Sequence, residues 1–221
     1  MDQLLALFPL SATVMFPASA VSLHIFEERY KLMIARCIAL KEPFGIVLIR
    51  EGDEVRMGNR VNVPVEPHEI GTTAAITNAI RYDDGQMDIQ AEGGARFRIT
   101  QIIQTEPYLV AAVEMLDDQA GIEQQAQAEQ LGEIYERYRN TVAYATGVEH
   151  PLADLPSDPA AMSFELSTRL QVPTFSKQQL LEADLETRLE ALTAALSDEL
   201  SLLPPPTSDK PLAPGNAWSL N

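Results

Sequence analysis

Cysteine, tryptophan, histidine and lysine are all scarce in these 221 residues, and each shortage removes a class of function. The single cysteine, Cys37, cannot form an intrachain disulfide, so the expected setting is a reducing one, the cytoplasm. It falls on the apolar side of an expected helix with no base beside it, which is the pattern of an inert core thiol. His24, His68 and His150 stand far apart, and no cysteine or carboxylate lies at ligand spacing from any of them, so no metal is expected. Lysines 31, 41, 177 and 210 never follow glycine, which excludes the G-x-x-x-x-G-K-[ST] phosphate loop, and G-x-S-x-G is also missing. No nucleophile with an activating base emerges, so neither catalysis nor a cofactor is expected. The carboxylate pairs Glu27/Glu28, Asp83/Asp84 and Asp117/Asp118 suit helix starts and turns.

Basic residues are outnumbered as well. Against 32 Asp and Glu stand 16 Lys and Arg, a net charge of -16 that repels phosphate backbones and anionic lipid, so nucleic acid and membrane are not expected partners. No stretch approaches the roughly 20 apolar residues of a membrane span. Residues 4–20 are apolar and end in Ala18-Ser19-Ala20, like a signal cleavage site. Asp2 is nevertheless the first charged residue, Arg29 the first basic one, and Pro9 and Pro17 interrupt the run.

What is present is a core-forming chain, 46% hydrophobic, organised around the stretch from Phe8 to Tyr30. Phe8-Pro9 and Phe16-Pro17 are expected to bound an extended loop between two strands, because proline fixes φ and removes a donor. Val21, Leu23 and Ile25 alternate as in a half-buried strand, and Tyr30, Met33, Ile34, Cys37 and Ile38 then follow helical spacing over 27–40. The run 44–50 is nearly continuously apolar and ends in Arg50, as in a central strand buried on both faces. A loop is expected at 51–59. Residues 70–82 and 87–91 form a hairpin about Asp83-Asp84-Gly85, Gly93-Gly94 marks a sharp turn or bulge, and strands follow at 95–103 and 108–116. Several short strands around one helix predict a small barrel or sandwich.

At Asp117-Asp118 the period changes from two to 3.6. A helix over 119–145 stops at Gly147; Asp158-Pro159 opens a second, Ser176 to Gln179 has capping-box spacing, and Asp184 caps a last helix whose face carries Leu185, Leu189, Leu192, Leu196, Leu200 and Leu203. The expected organisation is a β-rich domain at 1–118, an α-helical bundle at 119–203 and a Pro-rich extended tail at 204–221. Trp218 in that tail packs back, meets a partner or does nothing; the sequence leaves all three open.

Leu7-Phe-Pro-Leu10, Val14-Met-Phe-Pro17, Leu23-His-Ile-Phe-Glu-x-Arg-Tyr30, Phe44 to Ile49, Gly71-Thr72, Gly93-x-x-Arg-Phe-Arg98 and Pro107-Tyr-Leu109, in that order, resemble the N-terminal substrate-recognition domain of Lon-type ATP-dependent proteases. Ala18 and Val21-Ser22 depart from that pattern, which has glycine after the second Phe-Pro and Leu-Pro before Leu-His. The resemblance implies an α+β fold, a PUA-like β pseudo-barrel with one inserted helix followed by an α-helical bundle. Full-length members continue into an ATPase and a serine-lysine protease, whereas this chain stops after the bundle, so the implied role is a non-catalytic module that binds unfolded or damaged polypeptide in protein quality control. Phe8, Phe16, Phe26 and Tyr30 are the candidate binding residues, on the expectation that the apolar Phe-Pro loops line a groove where an extended peptide adds to a sheet edge. The alternative is an adaptor recognising one folded partner through the bundle or the tail. Oligomeric state stays open.

Overall fold

The structure, a computed structural model, describes residues 3–52, 64–148 and 153–203. Most of the loop expected at 51–59, His150, and the tail with Trp218 lie outside the described residues. The chain divides into two compact units, 1–118 with 167–182, and 119–166 with 183–221.

The first unit contains strands β1 (Gln3–Leu10), β2 (Ala20–Ile25), β3 (Phe44–Glu51), β4 (Glu66–Pro67), β5 (Ile70–Arg81), β6 (Met87–Gln104) and β7 (Val110–Met115), with helix α1 (Glu28–Leu40) between β2 and β3. Glu28 lies in the first turn of α1, where its charge suits the helix dipole, and Lys41 ends the helix in the left-handed conformation at φ 54°. The alternating apolar set of β2 pairs antiparallel with 87–92 of β6. Gly85, at φ 81°, makes the turn between β5 and β6.

The expected PUA-like pseudo-barrel is corrected here to an α+β fold around one seven-stranded sheet. The strand order is β1-β7-β6-β5-β3-β4, with β2 on β6 and a further β1–β3 pairing, and this ring of hydrogen bonds is not a barrel. Burial gives the physical reason. Along β1 and β3 consecutive residues are buried, not alternate ones, so both faces of these strands meet apolar partners. Phe8, Leu10, Phe44 and Ile46 join Tyr30, Met33, Ile34 and Cys37 of α1 in one core. Leu5, Leu7 and Val47 join Phe97, Ala111 and Val113 in another. A closed small barrel has one interior and turns its alternate residues outward.

Three local expectations shift. β1 continues through Phe8-Pro9 to Leu10, because only residues 3–6 pair with β7, and Pro9 stands where one neighbour remains, the parallel β3. The strands expected at 87–91 and 95–103 are one long strand, β6, with a register shift against β5 between Thr72 and Ala74 that leaves Gly94 and Ala95 facing Thr73. Gly93 is required by close approach: a Cβ there would collide with the Phe16 carbonyl, while its N–H donates to the Ser19 carbonyl at 2.8 Å and its own carbonyl accepts from Ala18 N–H at 2.8 Å. Ser176 lies inside α4 (Thr174–Glu182) and does not start it.

Helix α4 belongs to the first unit. Gln178 Nε2 donates to the Ile70 carbonyl at 2.9 Å, and Arg96, 5% exposed, donates to the Leu181 carbonyl while gripping both carboxylate oxygens of Asp118 at 2.7 and 3.0 Å.

The second unit is helical. It holds α2 (Ile122–Thr146) and α5 (Leu185–Leu202), with most of α3 (Pro159–Arg169). Gly147 stops α2 at φ 69°, Asp158 Oδ2 accepts from Ala161 N–H at 2.8 Å, and Asp184 Oδ1 accepts from Thr187 N–H at 2.9 Å. Leu185, Leu189, Leu192 and Leu196 are buried with Leu131, Tyr135 and Phe164. Arg188 is fully buried among them: Nε donates to Ser163 Oγ at 2.8 Å, Nη1 to the Ala183 carbonyl at 2.8 Å, and its guanidinium lies 4.1 Å over the Phe164 ring.

Candidate functional site

The four aromatic candidates occupy different environments. Phe8, Phe16 and Tyr30 are buried at 7%, 1% and 4% exposure, whereas Phe26 is 48% exposed. Phe8 stacks on Tyr30 with ring centroids 4.3 Å apart, and the Arg29 guanidinium lies 4.3 Å over the Tyr30 ring while Arg29 pairs with Glu27 at 3.0 Å. Phe8, Phe26 and Tyr30 come together in a small cleft of about 120 Å³ that also touches Leu10, Leu23 and His24. Phe16 is elsewhere, beneath a tight loop in which its N–H donates to Ser19 Oγ at 3.1 Å and its carbonyl accepts from that hydroxyl at 2.6 Å. Thr72, fully buried, ties the same loop to β5 by donating to the Met15 carbonyl at 2.6 Å. Ala18 in this loop has φ 60°, the left-handed conformation that favours glycine.

Beside the small cleft lies a polar cluster. His24 Nδ1 is 2.6 Å from Asp88 Oδ1 and Nε2 is 2.6 Å from Gln86 Oε1, while the Tyr82 hydroxyl donates to Asp88 Oδ2 at 2.5 Å. The hydrogen bond to Asp88, then that to Gln86, raises the His24 pKa above its ordinary value. Asp88 is held below the usual carboxylate range by the Tyr82 hydroxyl and then by His24. No serine, threonine, cysteine or lysine is part of this group, and among the described residues no three His, Cys, Asp or Glu side chains are arranged to hold a metal ion. Cys37 sits in the core, where burial pushes its thiol pKa up.

The larger concavity was not anticipated from the residues. A cleft of about 550 Å³ runs between the end of α1, at Cys37, Ile38, Lys41, Glu42 and Pro43, and residues 75–79 of β5. Side chains of a strand alternate between faces, so a cleft touching five consecutive residues lies along the strand's edge. The pairing explains why that edge is open. β3 covers β5 only through Thr72, Thr73 and Ala74, and beyond Ala74 no strand among the described residues pairs with that side, while β6 pairs with the other as far as Arg81. The local signal in the sequence is faint: Ala75-Ile-Thr-Asn-Ala-Ile80 contains neither charge nor proline, the usual guards of an exposed edge.

With this geometry in view, comparison with known proteins assigns the class. The family model described as ATP-dependent protease La (LON) substrate-binding domain matches residues 5–198, and the chain belongs to that family. It is a module of the substrate-binding kind, and the resemblance carried by the Phe-Pro and Gly-x-x-Arg-Phe-Arg segments is borne out. Lon protease 2 of Myxococcus xanthus is 26% identical over 216 residues, covering 91% of this chain and 24% of that protein. Lon protease of Anaeromyxobacter dehalogenans is 22% identical over 203 residues, covering 90% and 24%. The chain thus spans about a quarter of the length of these relatives. Two solved structures share the fold. The N-terminal domain of Mycobacterium avium complex Lon protease matches with TM-score 0.63 at 19% identity, covering 89% of this chain and 99% of that one. A Lon N-terminal domain protein from Xanthomonas campestris matches with TM-score 0.58 at 23% identity, covering 87% and 98%.

Proposed function

We propose that this protein is a non-catalytic module that binds unfolded or damaged polypeptide, working in protein quality control. The observation that carries the proposal is the match of 5–198 to a protease's substrate-binding domain, since the substrates of a protease are polypeptides. Physical features agree with it. A net charge of -16 opposes nucleic acid and favours neutral or basic partners. Exposed apolar side chains, among them Phe26, Ile38 and Ile80, are available to a partner that has lost its own core. A lone, buried thiol suits a cytoplasmic setting.

The test uses a disulfide protein in two forms, reduced and alkylated so that it stays unfolded, or native, each titrated with this chain and followed by fluorescence anisotropy. Saturable binding of the unfolded form with none of the native form is expected. Absence of binding to both overturns the proposal, and tight binding of one folded partner in place of unfolded chains selects the adaptor role.

A further inference from the structure

We propose that the open edge of β5 over residues 75–81, flanked by the last turn of α1, receives one extended polypeptide segment as an added strand. This rests on the polypeptide-binding function and gives it a place and a bonding pattern. On its outer side the edge offers backbone N–H and C=O groups at the strand repeat, and an extended chain is the ligand whose own groups match that repeat. The cleft of about 550 Å³ lies along this edge, within the usual range of ligand clefts. Its chemistry selects the occupant. Residues 75–80 carry no charge, Ile76 is half-buried and Ile38 is 42% exposed, while Lys41 and Glu42 bring one charge of each sign at the end of α1 and Arg81 stands at the far end of the edge, so the centre of the bound segment is uncharged and rich in β-branched side chains. A second copy of this chain also has a β5 edge, but two bodies of charge -16 repel each other, whereas a neutral or basic segment is not repelled. The site lies apart from Phe16 and from the cleft of Phe8, Phe26 and Tyr30.

The probe is a labelled peptide of about nine alternating valines and threonines with a lysine at each end, together with two versions N-methylated at its odd or at its even positions. An added strand turns alternate N–H groups to the edge, so one methylated peptide is expected to bind at least about tenfold more weakly than the parent and the other close to parent affinity. Hydrogen exchange of the 75–81 amides is expected to slow when the parent peptide binds. The variant Ala79→Lys, at an exposed position whose folding is checked by its thermal midpoint, is expected to weaken the peptide by a similar factor. Equal affinity of the two methylated peptides, or slowed exchange at 20–25 in place of 75–81, overturns the proposal. Self-association that slows exchange at 75–81 without peptide overturns it in favour of a second copy. If Ala79→Lys still binds the permanently unfolded protein at full strength, the edge is excluded while polypeptide binding stands. If the unaltered chain binds no unfolded protein, both proposals fall together.

Discussion

The stretch from Phe8 to Tyr30 and the stretch from Ala75 to Arg81 are opposites in composition and in fate. The first is rich in aromatics and proline, and its large side chains go mostly into the core, with Phe8, Phe16 and Tyr30 buried. The second is built of alanine, threonine, asparagine and isoleucine up to a final Arg81, and from Ala75 onward its side chains are exposed or half-buried along an edge that no described strand covers. An aromatic ring buries one of the largest apolar areas of any side chain, so a cluster of rings marks where a small domain closes. Backbone polar groups are the same in every residue except proline, so an open edge leaves little trace in composition.

Substitutions can sharpen or break this contrast. Phe16→Ala should have the largest effect, a loss of about 3–5 kcal/mol from the void left in a fully packed site, read as a fall in the denaturant midpoint. Phe26→Ala should stay within about 0.5 kcal/mol, as for an exposed side chain. Equal losses at the two positions would show that exposure does not separate them. A smaller change of opposite sign is expected at Ala18, whose φ of 60° suits glycine. Ala18→Gly should raise stability, by no more than about 1 kcal/mol because glycine also gains freedom in the unfolded chain. A clear loss of thermal stability would mean that the loop does not hold this conformation.

The smallest effect concerns His24. Its folded pKa lies above 6.5, so the stabilisation it draws from Asp88 and Gln86 is fully present below pH 6.5 and is lost as pH rises through the folded value. Asp88, held below 3.8, contributes in the other sense: its part is present above pH 3.8 and is lost as pH falls through its folded value. Asp88→Asn should bring the His24 titration, followed by its ring proton shifts, down toward 6.5. An unchanged titration would mean that His24 and Asp88 are not paired in solution.

Much of the fold is legible because its signals are local. The alternation of Val21, Leu23 and Ile25, the helical spacing from Tyr30 to Ile38, the Gly85 turn, the Asp158 and Asp184 caps and the Gly147 stop all concern residues within a turn or two of one another. The sheet's closure is not legible in the sequence for the opposite reason. Whether strands make a barrel depends on which faces of β1 and β3 find partners in α1 and β7, many residues away. Arg96 illustrates the same limit: nothing near it in sequence announces Asp118 and the Leu181 carbonyl as its partners.

By itself the sequence determined the family, through the ordered Phe-Pro, Leu-His and Gly-x-x-Arg-Phe-Arg segments, and most of the helices and turns, because propensity, periodicity and capping act over a few residues. It also determined the strong negative charge that sets which partners are repelled. Only the tertiary structure decided that Phe8, Phe16 and Tyr30 of the opening stretch are buried while Phe26 is exposed, and that β3 leaves β5 after Ala74. The edge that opens there depends on where a neighbouring strand stops, and that is a property of the whole sheet.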